Sequence, residues 1–69
     1  MKYDKGDFVY YINSNKKMGF AEIVKVLDKE SAYQAVDQNE FRFFIVEEKN
    51  CDVSEKAIKA LIKARKGRL

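Results

Sequence analysis

Apolar runs divide most of the chain into four short segments with the composition of β-strands. The segments span residues 7–12, 20–27, 32–36 and 41–48 and are rich in β-branched and aromatic side chains. Polar residues that favour turns, chiefly Asn, Ser and Asp, separate these segments at 13–15, 28–31 and 37–40. The pattern therefore predicts four sequential antiparallel strands joined by tight connections.

The fourth segment is the most apolar of the four. Strand geometry places Phe41, Phe43 and Ile45 on one face and Phe44 and Val46 on the other. Apolar side chains on both faces are typical of a strand that is covered on both sides. This segment therefore predicts a small barrel with a further element lying against its outer surface.

Helical periodicity appears only near the end of the chain. Apolar residues recur there at spacings of three and four, at Ala57, Ile58, Leu61 and Ile62. Ser54 is a suitable N-cap and Gly67 a suitable stop, which predicts one amphipathic helix over about 54–66. We expect its apolar stripe to close the barrel and its lysines to point away from it.

The order of short motifs along the strands resembles a known class of barrel. The motifs are Gly6-Asp7-x-Val9, Gly19-Phe20-Ala21-x-Ile23, Tyr33-x-Ala35-Val36 and Phe41-x-Phe43-x-Ile45-x-Glu47-Glu48. Over about residues 6–48 they are similar to SH3-like barrels of the Tudor and KOW type. The resemblance implies a binding module, because such barrels hold peptides, modified side chains or nucleic acids.

Strand pattern and resemblance together define the predicted fold. It is mainly β, a small antiparallel SH3-like barrel of four to five strands with one C-terminal α-helix, in a single domain over 1–69. The layout is also similar to that of the small archaeal seven-kilodalton chromatin proteins, whose barrel ends in a helix. Those proteins contact DNA with a tryptophan-bearing sheet, and this chain has no Trp. That second resemblance therefore implies the layout and not the DNA surface.

Composition excludes several classes of function. The 69 residues include one cysteine and no histidine, so neither an intramolecular disulfide nor a Cys/His zinc site is expected. No apolar run approaches the ~18 residues of a membrane span, and the N-terminus lacks a signal-like segment, which predicts a cytoplasmic protein. The chain also has no catalytic constellation, because Glu47 and Glu48 point to opposite faces and Cys51 has no imidazole base. We predict no enzyme activity, no metal and no cofactor.

The positive charge is concentrated at the end of the chain. Residues 55–69 hold six Lys or Arg against one Glu, whereas residues 1–54 hold eight against ten Asp or Glu. Clustered cations favour contact with the phosphates of DNA or RNA, although a solvated helix face also carries lysines. The candidate nucleic-acid residues are Lys16, Lys17, Lys25 and Arg42 on the sheet and Lys56, Lys59, Lys63, Arg65, Lys66 and Arg68 on the helix.

The aromatic residues support an alternative function. The nine Phe and Tyr side chains are too many for one wall of a small barrel, so some are expected to face solvent. Tyr10, Tyr11 and Tyr33 are the candidates for a protein-binding surface, because a tyrosine hydroxyl favours a half-wet position. The alternative function is thus a protein-interaction module, for instance a small phage or mobile-element accessory or inhibitory protein that binds a host protein through these tyrosines or through a sheet edge. Self-association through an edge strand or through part of the apolar face of the helix is a third hypothesis.

Overall fold

The computed structural model describes residues 1–66 of the chain. The five strands are β1 (Phe8–Ile12), β2 (Met18–Leu27), β3 (Ala32–Asp37), β4 (Phe43–Glu47) and β5 (Cys51–Asp52), and they precede helix α1 (Glu55–Lys66). Short 3-10 turns at Asp28–Glu30 and Glu48–Asn50 precede β3 and β5. The prediction of a mainly β, antiparallel fold with one C-terminal helix is confirmed.

The strands form one antiparallel sheet in the order β4-β3-β2-β1-β5. β2 is the longest strand, and its register shifts between Ile23 and Lys25, which is the irregularity that bends a strand and increases its twist. β5 has two residues and pairs with β1 at Tyr10 and Tyr11. Within residues 1–66 no ladder joins β4 to β5, so the sheet is not closed into the predicted barrel and β4 is a free edge.

The hydrophobic core lies on the inner face of this curved sheet. Alternate residues of β1–β4 form most of it, namely Val9, Tyr11, Ala21, Ile23, Tyr33, Ala35 and Val46. Tyr3 near the N-terminus and Cys51 of β5 complete it. Tyr33, Ile23 and Val9 have no exposed surface. Burial of each such side chain contributes about 1.5–3 kcal/mol, and this stabilisation holds together a small sheet without a disulfide.

Helix α1 begins as the sequence predicts and packs at the opposite end of the sheet from β4. The hydroxyl of Ser54 accepts a hydrogen bond from the backbone N–H of Ala57 at 3.2 Å, which caps the first turn. The helix contacts β1, β5 and β2. Ile58 is 1% exposed, whereas Leu61 and Ile62 are half-buried. The predicted stop at Gly67 lies outside the described residues.

The position of the helix corrects one prediction. Because α1 packs against β1, β2 and β5, it leaves the outer face of β4 uncovered. Phe41, Phe43 and Ile45 are 73%, 68% and 60% exposed. The prediction that both faces of β4 are covered is therefore wrong for the outer face, whereas Val46 on the inner face is buried.

Candidate binding surface on the edge strand

β4 and the turn before it carry a cluster of highly exposed apolar side chains. Phe43 and Ile45 project from its outer face, and Phe41 lies two residues before the start of the strand. Phe44 and Val46 project from the inner face, where the Phe44 ring packs on Tyr11 with their centroids 4.7 Å apart. We call Phe41, Phe43 and Ile45 the edge surface. Sequence alternation divides these residues between two faces, but it does not indicate which face stays uncovered.

The turn between β3 and β4 holds Phe41 in a strained backbone conformation. Its φ is +54°, in the left-handed region that favours glycine. The N–H of Phe41 donates to the carbonyl of Asp37 at 2.8 Å, and the N–H of Asp37 donates to the carbonyl of Arg42 at 3.0 Å. Phe41 and Arg42 thus both lie opposite Asp37, which is the arrangement of a β-bulge. The first position of this kind of bulge, here Phe41, is usually glycine. A left-handed L-residue costs about 1–2 kcal/mol, so the turn presents an exposed aromatic ring despite that strain.

The outer face continues from the edge surface towards β1. Val36 of β3 lies opposite Phe43, Glu22 of β2 lies opposite Val36, and Phe8 of β1 lies opposite Glu22. Phe20 stacks on Phe8 with their centroids 5.7 Å apart. An apolar row therefore crosses the sheet, and one carboxylate interrupts it.

The predicted sheet cations lie among carboxylates. Arg42 forms an ion pair with Glu40 at 3.6 Å, and both side chains are largely exposed. Lys16 and Lys17 line an open cleft of about 780 Å³ whose walls also carry Asp37, Glu40, Glu47 and Arg42. Lys25 is exposed on β2, away from that cleft. The structure therefore brings Lys16, Lys17 and Arg42 to one cleft, which Arg65 of α1 also lines, but it places them among carboxylates and leaves Lys25 elsewhere.

The predicted helix cations fall into two groups. Lys56, Lys59, Lys63 and Lys66 are exposed, and within residues 1–66 only Lys59 among them has an ion pair, to Glu55 at 2.8 Å, which raises the pKa of Lys59. Arg65 instead donates to the side-chain oxygen of Asn50 at 2.8 Å and is half-buried. Arg65 therefore ties α1 to the turn before β5. Arg68 lies outside the described residues.

The tyrosines correct the predicted protein-binding residues. Tyr33 has no exposed surface and Tyr11 is 7% exposed, so the prediction that they face solvent is wrong for both. Both rings are part of the core, and their hydroxyls donate to the carboxylates of Glu48 and Asp37 respectively. Tyr10 is half-buried, and its ring packs on Phe20 with their centroids 4.8 Å apart.

These buried hydroxyls also hold the start of the chain in place. The Tyr33 hydroxyl accepts a hydrogen bond from the backbone N–H of Tyr3 at 3.0 Å, while Glu48 accepts one from the N–H of Lys2 at 2.9 Å. Desolvation, followed by the hydrogen bond to Glu48, raises the pKa of Tyr33 to about 12. The bond from Tyr33 lowers the pKa of Glu48, and the bond from Tyr11 lowers that of Asp37. These tyrosines therefore have structural roles.

Two observations concern chemistry at other places. Cys51 is buried, and desolvation raises the pKa of its thiol to about 12, so it stays protonated at neutral pH. Within residues 1–66, no group of three or more His, Cys, Asp or Glu side chains is placed to bind a metal ion. The same residues include no helix with the length and apolar character of a membrane span.

No family model, curated protein or solved structure matches the chain.

Proposed function

We propose that this chain is a non-enzymatic binding module that docks an extended segment of a protein partner along the free edge of β4. The observation that carries the proposal is that Phe43 and Ile45, each at least 60% exposed, project from an edge strand. Edge strands of monomeric proteins are usually protected by Lys, Pro or a covering element, and residues 43–46 have no such residue. A strand added at this edge would gain backbone hydrogen bonds and pockets for alternate side chains.

The strain at Phe41 supports the same site. Strained backbone conformations persist where the surrounding structure imposes them, and they concentrate at functional positions. Asp37 imposes this one, because its carboxylate also accepts the N–H groups of Asn39 and Glu40 at 2.8 and 2.9 Å. An exposed aromatic ring at the end of the edge is the kind of anchor that contributes most to protein–protein affinity.

The charges around the edge surface favour a protein over a polyanion. Arg42 with Glu40 flanks one end of β4, and Lys49 with Glu47 flanks the other at 3.4 Å. A polar rim of both signs around an apolar centre is typical of protein interfaces, whereas nucleic-acid sites are predominantly positive. The resemblance to Tudor and KOW barrels is compatible with either partner, because one fold hosts many functions. The cytoplasmic location and the phage or mobile-element origin stay predictions.

Selection of linear peptides on the immobilised full chain tests this proposal. We expect enriched peptides to alternate apolar and polar residues, and to lose at least tenfold in affinity for the Phe43→Ser/Ile45→Ser variant. Lys56→Ser/Lys63→Ser is the matched control, since it changes two exposed helix residues, and it should bind the same peptides unchanged. Failure to enrich any peptide, or equal binding to both double variants, contradicts the proposal.

N-methylation of an enriched peptide tests the backbone pairing separately. Methyl groups at every second residue remove the N–H donors on one side of a strand only. Methylation of the peptide residues whose N–H groups face β4 should therefore abolish binding, and methylation of the alternate residues should leave binding nearly unchanged. Equal effects of the two methylated peptides would show that the peptide binds by side chains alone.

A second candidate function is supported by the helix. Lys56, Lys63 and Lys66 are exposed, and no carboxylate within residues 1–66 forms an ion pair with them. Such a stripe favours electrostatic binding of DNA or RNA, because each cation that contacts a phosphate releases a counterion. Lys59 contributes less to this surface, since Glu55 already neutralises it.

Salt dependence tests the helix surface. If it binds nucleic acid, Lys56→Ala/Lys63→Ala should reduce the slope of log affinity against log salt by roughly two units for a fluorescent oligonucleotide. Lys29→Ala is the control, because this exposed lysine lies on the turn before β3 and not on α1. Absence of binding by the unmodified chain at about 50 mM salt, in fluorescence anisotropy, contradicts this second function.

A further inference from the structure

The hydrogen-bonding groups on the free edge of β4 follow from its pairing with β3. The N–H of Asp37 donates to the carbonyl of Arg42, and the N–H of Glu48 donates to the carbonyl of Ser31 at 2.9 Å. Opposite residues of an antiparallel pair alternate between hydrogen-bonded and non-hydrogen-bonded positions. Residues 42, 44, 46 and 48 therefore pair with β3, whereas the N–H and C=O groups of residues 43 and 45 and the N–H of Glu47 point to the free edge. The carbonyl of Glu47 lies on the same side and accepts a hydrogen bond from the Cys51 thiol at 3.5 Å.

A second copy of β4 matches this pattern when the two strands run antiparallel across a two-fold axis. A two-fold axis perpendicular to the sheet places the outer faces of both copies on the same side. Each residue must therefore lie opposite a residue that projects to the same face. With Ile45 opposite Ile45 of the second copy, Phe43 lies opposite its Glu47 in both directions. The free N–H and C=O groups of residues 43 and 45 and the N–H of Glu47 are then paired, and the Glu47 carbonyl accepts a second hydrogen bond, from Phe43 of the second copy, beside the one from Cys51. A shift by two residues leaves some of these groups unpaired.

The side chains are self-complementary in the same register. On the outer face, Phe43 and Ile45 of both copies form one continuous apolar row. On the inner face, Phe44 lies opposite Val46. In this register Arg42 lies opposite Glu48 of the second copy, which adds one pair of opposite charges at each end of the strand, beside the ion pairs that Arg42 and Glu47 already form with Glu40 and Lys49 within each copy.

We infer that β4 pairs with β4 of a second copy across a two-fold axis at Ile45, so that one sheet runs through both protomers. This inference rests on the proposed function, because it uses the same edge, and it specifies the partner as this chain itself. The contact is confined to a five-residue strand and the residues beside it, which makes it small in comparison with obligate dimer interfaces. We therefore expect a reversible dimer whose population depends on concentration.

Sedimentation velocity of the full chain over a range of concentrations measures this equilibrium. Ile45→Lys places two like charges on the axis and should raise the dimer dissociation constant at least tenfold. Val53→Lys is the matched control, since Val53 is 63% exposed and lies outside β4, and it should dimerise as the unmodified chain does. An equimolar mixture of Ile45→Lys and Ile45→Glu should recover a heterodimer, because opposite charges then meet. A monomer at every concentration, or a dimer indifferent to Ile45→Lys, overturns the inference.

Disulfide trapping tests the register. Cysteines at position 45 would face each other at the distance of a directly opposite pair, about 5.5 Å between Cα atoms, which a disulfide spans. Cysteines at position 43 would be offset by four residues, roughly 13 Å along the strands, which is too far. Under mild oxidation Ile45→Cys should therefore form a covalent dimer and Phe43→Cys should not. Equal cross-linking of the two variants contradicts this register.

The two proposals have distinguishable failures. A monomeric chain that still binds alternating peptides at the edge would overturn the self-pairing and leave the protein-binding function supported. A chain that shows neither behaviour would overturn both. Higher oligomers or fibrils in place of a discrete dimer would also overturn the inference, because a two-fold contact closes on itself.

Discussion

The two faces of the sheet use different aromatic residues for different purposes. On the inner face, Tyr11 and Tyr33 place their rings in the core while their hydroxyls reach Asp37 and Glu48 at its boundary. On the outer face, Phe43 is mostly exposed, and its ring has no polar atom to satisfy. The sequence-based prediction that Tyr11 and Tyr33 face solvent is therefore wrong, and the exposed aromatic surface on β4 is that of Phe43.

This difference follows from the thinness of the core. In a chain of this length only about 60% of the unfolded surface can be buried, so no buried ring is far from solvent. A tyrosine suits that position because its ring is buried while its hydroxyl finds a partner at the rim. A phenylalanine on the outer face makes no such bond, so its surface is available to another molecule.

Truncation of one ring on each face gives the largest expected effect. Tyr33→Ala should lower the free energy of unfolding by about 3–5 kcal/mol, because it leaves a cavity in the core. It also removes the hydroxyl that binds Tyr3 and Glu48. The core of a domain of this size rarely supplies more than about 3–5 kcal/mol of total stability, so the variant should be largely unfolded by far-UV circular dichroism.

Phe43→Ala is the matched truncation on the outer face. Its expected change in unfolding free energy is below about 1 kcal/mol, measured by urea denaturation, because Phe43 is 68% exposed. Comparable losses for the two variants would contradict the distinction between a structural inner face and a binding outer face.

Gly19→Ala should have the next largest effect. Gly19 lies opposite Tyr11 in the β1–β2 ladder, and the Tyr11 ring occupies the space that a Cβ at position 19 would need. We expect overpacking to lower the unfolding free energy by about 1–3 kcal/mol in urea denaturation. In a Tyr11→Ala background the same substitution should be much less destabilising, and strict additivity of the two changes would argue against this contact.

The sequence predicts the parts of this fold that depend on local pattern. The turns, the alternation within β4 and the Ser54 cap each follow from neighbouring residues, and the structure confirms them. The two-residue strand at Cys51 was missed, because its pairing with β1 depends on the fold of the whole chain. The exposure of Phe43 and Ile45 was missed for a related reason. Periodicity divides residues between faces, but only the docking position of α1 determines which face is covered.

The next prediction concerns the stability that Tyr33 on the inner face contributes at alkaline pH. The pKa of Tyr33 is raised from 10.0 to about 12, so the folded state keeps this proton while the unfolded chain loses it. The associated stability is therefore complete below about pH 10 and declines as the pH rises towards 12. Urea denaturation from roughly pH 9 to 12 should show a shallower decline for Tyr33→Phe, which has no phenol at that position. Identical slopes would contradict the assignment to Tyr33.

The smallest expected effect has the opposite sign and lies at the turn. Phe41→Gly should raise the unfolding free energy by about 0.5–1 kcal/mol, because relief of the left-handed strain exceeds the added entropy of the unfolded chain. Little burial is lost, since Phe41 is 73% exposed. If Phe41 is retained for binding, the variant should be more stable in urea and should bind the selected peptides more weakly. Phe41→Asn separates the two contributions, because asparagine tolerates this conformation but lacks the ring. A loss of stability in Phe41→Gly would mean that the Phe41 ring supports the fold. The strained conformation of Phe41 would then no longer be an argument for a role in binding.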